Sequence, residues 1–209
     1  CTEAVLASGV KRVIVGCTDP NPVVAGRGIR LLREKGLEVV AGVLRGECER
    51  QNEVFFHFMR TKLPFTVLKY AMTLDGKTAT VLGKSQWITG EAARKRVHED
   101  RGRYMAILTG VSTVLADNPQ LTCRIPGGKN PIRVIADTKL RTPLSSTVVQ
   151  TARETPTWIV TAVSDAGRKK AYEDAGCRVL SVPAKEGELD LQAMMQRLGE
   201  EKVDSVMVE

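Results

Sequence analysis

The chain has 209 residues and a mass of 22.8 kDa, with 43% hydrophobic and 26% charged residues. This composition is that of a folded globular protein and excludes a disordered or low-complexity chain. No apolar run approaches the roughly 18 residues of a membrane span and no signal-peptide pattern opens the chain, so we expect a cytoplasmic protein without a membrane partner. Because 31 Lys and Arg exceed 24 Asp and Glu, the net charge is +7, which favours an anionic partner such as nucleic acid, a nucleotide or a sugar phosphate.

The cysteines indicate reduced thiols. They are odd in number, spread over the chain and without a C-x-x-C pair, which is atypical of a disulfide framework; they are Cys1, Cys17, Cys48, Cys123 and Cys177. The sequence opens on Cys1 instead of Met and stops at Glu209 inside a predicted strand. We therefore expect a fragment of a longer protein, holding one domain or parts of two.

Helical and strand patterns alternate from the start of the chain. Helices are predicted over residues 3–7, 29–36 and 47–59, and strands over 10–16 and 37–44. A boundary is predicted at residues 61–64, where a helical pattern ends and Pro64 leads a strand. Beyond it, strands are predicted over 65–72, 105–109, 132–136, 157–161, 179–182 and 203–208, and helices over 89–101, 110–115, 165–175 and 189–198. This alternation predicts parallel α/β sheets.

Three glycine motifs resemble part of a phosphate-binding loop, but none of them matches the whole pattern. Residues 76–78 (GKT) and 83–85 (GKS) resemble the end of a Walker A loop, yet both lack its leading glycine. Residues 26–28 (GRG) begin a dinucleotide-binding pattern, but Leu31 occupies the place of its third glycine. A phosphate-binding loop is therefore excluded at the first two places, and an ordinary turn followed by a helix start is favoured at residues 26–28.

The positive charge leaves a basic nucleic-acid-binding module as an alternative. Aromatic residues make up only 4% of the chain, and no motif offers a platform for stacking bases. His57 and His98 lie in helical patterns without Cys or His at ligand spacing, so surface or core roles are favoured over metal binding.

Residues 69–124 carry a dense series of polar side chains at predicted strand ends, turns and helix starts. Lys69 falls within a predicted apolar strand, where an unpaired ammonium is costly, and Trp87 falls in a polar turn. In parallel α/β sheets such places border the ligand crevice. The alternative is ordinary turn chemistry, with a turn at residues 117–119 and Thr89 as a helix N-cap.

Several long motifs resemble those of a known enzyme family. They are residues 74–79 (LDGKTA), 85–89 (SQWIT), 107–110 (ILTG), 116–122 (ADNPQLT) and 131–137 (PIRVIAD). They resemble the reductase domain of the bifunctional riboflavin-biosynthesis deaminase/reductases. Residues 1–4, 9–13 and 19–28 resemble the second half of that family's deaminase domain.

The resemblance implies an α/β fold in two parts. Residues 1–60 would be the C-terminal part of a cytidine-deaminase-like zinc domain, and residues 61–209 most of a dihydrofolate-reductase-like domain. The implied reaction is NADPH-dependent reduction of the ribosyl group of 5-amino-6-(5-phosphoribosylamino)uracil, a phosphorylated pyrimidine, to ribityl; the intact protein would also deaminate the preceding diaminopyrimidine. A reductase of the same fold with another pterin-like or pyrimidine substrate stays open. We also expect a homo-oligomer.

The resemblance also implies site residues. The family's substrate positions are matched by Ser85, Arg101, Leu121, Arg124 and Glu209. Its NADP positions are matched by Ala71, Trp87, Thr113, Asp117 and Thr138. Lys69 matches a lysine near the reacting sugar, where it can stabilise charge that develops on the carbonyl oxygen, and Arg101 and Arg124 suit a 5′-phosphate.

Two expectations concern what lies outside the sequence. Cys1 matches the second cysteine of a His-Cys-Cys zinc site whose other ligands would precede residue 1, so we expect no deaminase activity here. The family's glycine-rich cofactor turn would follow Glu209, so we expect weak NADPH binding and little turnover.

Overall fold

Ten strands and nine helices make up the structure, a computed structural model that describes residues 1–209. The chain forms two units, Cys1–Lys62 and Leu63–Glu209. None of the helices combines the length and the apolar character needed to cross a lipid bilayer.

The first unit alternates helices and strands around one parallel strand pair. Its elements are α1 (Thr2–Ala7), β1 (Arg12–Val15), α2 (Arg27–Glu34), β2 (Glu38–Ala41), α3 (Arg45–Gln51) and α4 (Glu53–Thr61). β1 and β2 pair in parallel, with Arg12 opposite Glu38. The single helix predicted over 47–59 is wrong, because Asn52 interrupts it with φ −116° and ψ 31°. The Asn52 amide donates to the carbonyl of Cys48 at 2.9 Å, a local bond that competes with helix continuation.

The second unit is built on a six-stranded parallel sheet. Its elements are β3 (Phe65–Leu68), α5 (Glu91–Arg103), β4 (Ala106–Gly110), α6 (Val111–Asp117), β5 (Ile132–Ala136), α7 (Thr147–Gln150), β6 (Thr157–Thr161), α8 (Ala166–Asp174), β7 (Arg178–Ser181), β8 (Ala184–Lys185), β9 (Glu188–Leu189), α9 (Leu191–Glu200) and β10 (Ser205–Val208). The strand order is β3-β10-β4-β5-β6-β7, and β8 and β9 form a separate antiparallel hairpin. The predicted parallel α/β architecture is confirmed.

The last strand of the chain lies between the first two strands of this unit. β10 pairs in parallel with β3 on one side and with β4 on the other. Its pairing continues past its end, because the Lys69 amide donates to the carbonyl of Val208 at 2.8 Å and the Glu209 amide donates to that of Leu108 at 2.9 Å. Glu209 therefore stands at the carboxyl edge of the sheet, directly between the ends of β3 and β4.

Apolar side chains alternate along the central strands and form a core on each face of the sheet. One face carries Ile107, Ile135 and Ile159, covered by α6, α7 and α8. The other face carries Val134 and Val160, covered by α9 and the hairpin. Such two-sided burial is what a parallel sheet requires.

An arginine lies inside this core. Arg133, on β5, is fully buried, and its guanidinium donates to the Thr151 hydroxyl at 2.8 Å and to four backbone carbonyls. These carbonyls belong to Gln120, Val148, Thr151 and Thr155, at 2.8 to 3.2 Å. Burial lowers the pKa of Arg133 to about 10, which leaves it charged at neutral pH. The charge ties the end of α7 to the segment that precedes Leu121.

Replacing Arg133 tests its role in this core. We expect Arg133→Met to lower the free energy of unfolding by about 3 kcal/mol, because it strips several buried carbonyls of their donor. The matched control, Arg141→Met, changes an exposed arginine and should stay within about 0.5 kcal/mol. Urea unfolding of both variants measures the difference; equal losses would contradict the assigned role.

Candidate active site

A cavity of about 660 Å³ opens at the carboxyl ends of β3, β10 and β4. Lys69 and Ala71 follow β3, Glu209 follows β10, and Thr113 and Asp117 lie on α6, directly after β4. The carboxyl edge is where parallel α/β sheets bind ligands. The strand order thus brings these residues to one edge of the sheet.

One wall of the cavity is a face of α5. Its lining residues are Ala93, Arg94, Val97, His98 and Arg101, which recur three and four positions apart and so share one side of the helix. No residue of α5 is buried. This helix therefore turns its inner face to the cavity and not to the apolar core.

The segment between β3 and α5 supplies further lining residues and contains two similar turns. In the first, the Thr73 amide donates to the carbonyl of Lys77; in the second, the Thr80 amide donates to that of Lys84, both at 2.9 Å. Gly76 has φ +79° and its counterpart in the second turn is similar, a left-handed conformation that favours glycine. The Gly-Lys pairs therefore lie in turns, and the turn predicted at residues 74–77 is confirmed. Ser85, Trp87 and Thr89 follow and line the cavity.

A half-buried cluster of three charges lies in the cavity lining. Arg101 donates from Nε and Nη2 to the two carboxylate oxygens of Glu209, at 3.1 and 2.7 Å, and from Nη1 to the carbonyl of Thr122 at 3.1 Å. The side chains of Arg101 and Glu209 are only 12% and 10% exposed. Lys69 Nζ lies 3.9 Å from the same Glu209 carboxylate. Lys69 follows β3 and does not sit inside the strand, which corrects the sequence prediction and explains how its ammonium reaches a partner.

A cation–aromatic pair also lines the cavity. The Trp87 side chain is 70% exposed, and the Arg94 guanidinium lies 4.5 Å from its ring centroid. Arg94 also donates to the carbonyl of Thr89 at 2.6 Å. The predicted N-cap role of Thr89 is wrong, because α5 begins at Glu91 with Gly90 as its N-cap.

His98 and Arg124 form a second polar pair in the lining. His98 Nδ1 accepts from the Arg124 backbone amide at 3.3 Å, and Nε2 lies 3.3 Å from Arg124 Nη2. Burial, followed by the charges of Arg101 and Arg124, lowers the pKa of His98. The imidazole is therefore neutral at pH 7.

Most residues singled out from the sequence meet in this cavity. Its lining includes Lys69, Ala71, Ser85, Trp87, Arg101, Thr113, Asp117, Arg124 and Glu209. Leu121 instead lies in the core at 3% exposure. Thr138 is outside the lining, where its hydroxyl accepts from the Leu189 amide at 3.2 Å and contacts Glu188 at 3.3 Å.

The predicted zinc ligand, Cys1, does not belong to a group of metal-ligating residues. Cys1 is an exposed free cysteine. No three His, Cys, Asp or Glu residues are grouped so that they could hold a metal ion. The residues present do not fit a zinc site.

Several lining residues were not predicted, among them Arg94 and His98 of α5. Both lie on the predicted helix, seven and three residues before Arg101, and so on the same helical face. That spacing was available in the sequence and indicates them once Arg101 is assigned to the site.

Comparison with known proteins identifies the family. The family model described as the RibD C-terminal domain matches residues 64–209. The chain belongs to the RibD family. A riboflavin biosynthesis protein RibD from Actinobacillus pleuropneumoniae is 48% identical over the whole chain, which covers 56% of that relative. The chain thus spans a little over half the length of the curated relatives it matches.

Solved RibD-family structures share the fold. A deaminase/5-amino-6-(5-phosphoribosylamino)uracil reductase from Thermotoga maritima superposes with a TM-score of 0.84 at 38% identity, over 100% of this chain and 56% of that one. The riboflavin biosynthesis reductase Rib7 of Saccharomyces cerevisiae gives a TM-score of 0.54 at 26% identity, over 71% and 63%. These similarities confirm the predicted dihydrofolate-reductase-like fold of the second unit.

The Arg101–Glu209 pair should contribute to stability as well as to the site. We expect Glu209→Gln to lower the free energy of unfolding by about 1.5–3 kcal/mol, because it weakens two charge-assisted hydrogen bonds of a shielded arginine. Glu200→Gln is the matched control, since Glu200 pairs with Arg197 at a surface where its side chain is 65% exposed and such pairs contribute little. Chemical denaturation of both variants gives the comparison, and an equal effect would show that Glu209 is not shielded.

Proposed function

We propose that this chain carries the reductase activity of the RibD family: NADPH-dependent reduction of the ribosyl group of 5-amino-6-(5-phosphoribosylamino)uracil to ribityl. The observation that carries the proposal is the cluster of Lys69, Arg101 and Glu209 in the cavity at the carboxyl edge of the sheet. The reductase named for the Thermotoga maritima relative supports the substrate.

The cavity lining suits a nicotinamide dinucleotide. Ala71 and Trp87 offer apolar surface, Thr113 and Asp117 offer polar contacts to ribose hydroxyls, and Arg94 adds positive charge for phosphates. When bound, NADPH supplies the hydride. We assign these five residues to holding the cofactor.

The substrate side is assigned to the charged residues. Arg101 already donates to Glu209 and Thr122, so Arg124, which has no carboxylate partner, is the guanidinium available to a 5′-phosphate. Glu209 holds Lys69 at the edge of the sheet. From there the ammonium stabilises negative charge on the sugar oxygen as the sugar carbon is reduced.

The first unit is assigned by extension to the end of the family's deaminase domain. Relatives align over the whole chain, including the residues before position 64. Because Cys1 has no companion ligands, we derive no zinc-dependent step from it. The proposal also includes a cytoplasmic, homo-oligomeric enzyme that binds neither membrane nor nucleic acid.

An assay of NADPH oxidation tests the proposed reaction. In a protein that carries this chain at the full length of its relatives, we expect NADPH to be consumed with the deaminated phosphoribosylaminouracil and not with other pterin-like or pyrimidine compounds. Consumption with one of those compounds instead would move the chain to another substrate. Salt-dependent binding to random DNA without any NADPH oxidation would favour the nucleic-acid-binding alternative.

Replacing Lys69 tests its role within that reaction. In the same full-length protein, we expect Lys69→Ala to lower kcat by about 100-fold or more, because it removes the positive charge at the reacting oxygen. NADPH affinity should change far less. Lys77→Ala, in an exposed turn, is the control and should keep normal kcat. An unchanged kcat in Lys69→Ala would remove this residue from the chemistry.

A further inference from the structure

Two cysteines of the first unit lie side by side, although they are far apart in the sequence. Cys17 follows β1 and Cys48 lies in α3. Both are free and partly exposed, and their thiols share a hydrogen bond. The reaction proposed above uses neither of them. This pair of adjacent thiols therefore has no assigned role.

The backbone around the two thiols holds them together. The Gly42 amide donates to the carbonyl of Val15 at 2.9 Å, so the segment that leads into α3 is fastened to the end of β1. Gly16 comes next in β1's continuation, and a Cβ at this position would collide with Cys48 Sγ. The Cys48 thiol therefore rests against the backbone of the residue that precedes Cys17, in a space that exists only because that residue is glycine.

The surroundings give the two thiols different parts in an exchange reaction. Burial raises the pKa of the Cys17 thiol, and the neighbouring Cys48 raises it further. The Glu49 carboxylate adds to this effect, whereas the charge of Arg45 opposes it. Cys17 therefore keeps its proton at neutral pH and donates it in the shared hydrogen bond. Because the thiolate is the nucleophile in thiol–disulfide exchange, the first attack falls to Cys48.

We propose that Cys17 and Cys48 form a reversible disulfide by exchange with a low-molecular-weight disulfide. The Cys48 thiolate attacks one sulfur of that disulfide, which gives a mixed disulfide and releases one small thiolate. The sulfur of Cys17 then loses its proton and attacks the Cys48 sulfur, which releases the second small thiolate. The released thiolates take up the two protons that the cysteines gave up. Two protein thiols are thus oxidised to one disulfide while the small disulfide is reduced to two thiols.

The bridge fits the fold as it stands. β1 and β2 already pair in parallel, and the two thiols are already in contact, so the bond forms without a shift of either strand. It closes a loop that contains α2 and β2. Because a disulfide restricts the unfolded chain, the oxidised unit should open less readily than the reduced one.

Peptide mass spectrometry after incubation with excess oxidised glutathione tests the bridge directly. We expect the peptide that holds Cys17 to become linked to the one that holds Cys48, and dithiothreitol to separate them again. In Cys17→Ser, the mixed disulfide with glutathione should persist at Cys48, because no second thiol can displace the glutathione. Cys17 and Cys48 that stay unlinked in the unaltered protein, or a link that dithiothreitol does not reverse, would overturn the proposal.

Gly16→Ala tests the geometry of the pair while it keeps both thiols. Its methyl group takes the place of Cys48 Sγ, so the Cys48 side chain must rotate away and the rate of linkage should fall by about tenfold or more. Gly46→Ala is the matched control, because Gly46 lies in the same helix as Cys48 and its added methyl group meets only Arg50 Nη1, at 3.7 Å. Equal rates of linkage in the two variants would overturn the proposal.

Amide hydrogen exchange shows whether the bridge belongs to the native fold. In the oxidised protein, the amides of β2 should exchange about threefold or more slowly than in the reduced protein or in oxidised Cys17→Ser, whereas those of β5 should not change. Exchange of β2 that fails to slow would overturn the proposal. None of these measurements involves NADPH, so failure of the bridge leaves the proposed function intact, and absence of NADPH oxidation leaves the bridge intact.

Discussion

The insertion of the last strand between β3 and β4 is the constraint on which the site depends. Arg101 and Glu209 lie 108 residues apart in sequence, yet β10 brings them into contact by pairing on both sides. The buried side chains of Val206 and Met207 contribute to the two cores. The same strand that completes the hydrophobic interior thus delivers the carboxylate that holds Lys69 and Arg101.

Polar contacts, and not apolar burial, hold α5, which forms one wall of the cavity. α5 has no buried residue, and its contacts with the rest of the unit include the Arg101 bonds to Glu209 and Thr122 and the Cys123 thiol bond to the carbonyl of His98 at 3.1 Å. These bonds involve the residues that line the cavity.

Long apolar patterns made the sheet predictable. β5 and β6 have the predicted bounds, and the strands of the second unit alternate with helices as expected. α7, with four residues, and the hairpin, with two residues in each strand, are too short to show a period. Strand order leaves no local pattern in the sequence either. Nothing near Glu209 in the sequence therefore indicates that Lys69 is its neighbour in the fold.

The candidate site was predicted mainly through motif resemblance, and its exceptions have physical causes. Leu121 has a left-handed φ of 53°, and its apolar side chain lies in the core, away from the cavity lining. Thr138 is engaged by the hairpin, which the sequence did not predict. His98 was not predicted to line the site because no Cys or His lies at metal-ligand spacing from it. Its position three residues before Arg101, on the same face of α5, nevertheless indicates a place in the cavity lining. Arg133 could not be predicted as buried, since its partners are backbone carbonyls with no sequence signature.

A crystal structure with NADP and ribose 5-phosphate bound tests most directly whether the cavity at the carboxyl edge is the active site. We predict the sugar beside Lys69 and Glu209, its phosphate at Arg124, and the nicotinamide against the segment that holds Trp87. Ligands bound instead in the hollow of the first unit, which Thr2, Arg27 and Glu34 line, with the carboxyl-edge cavity empty, would contradict it.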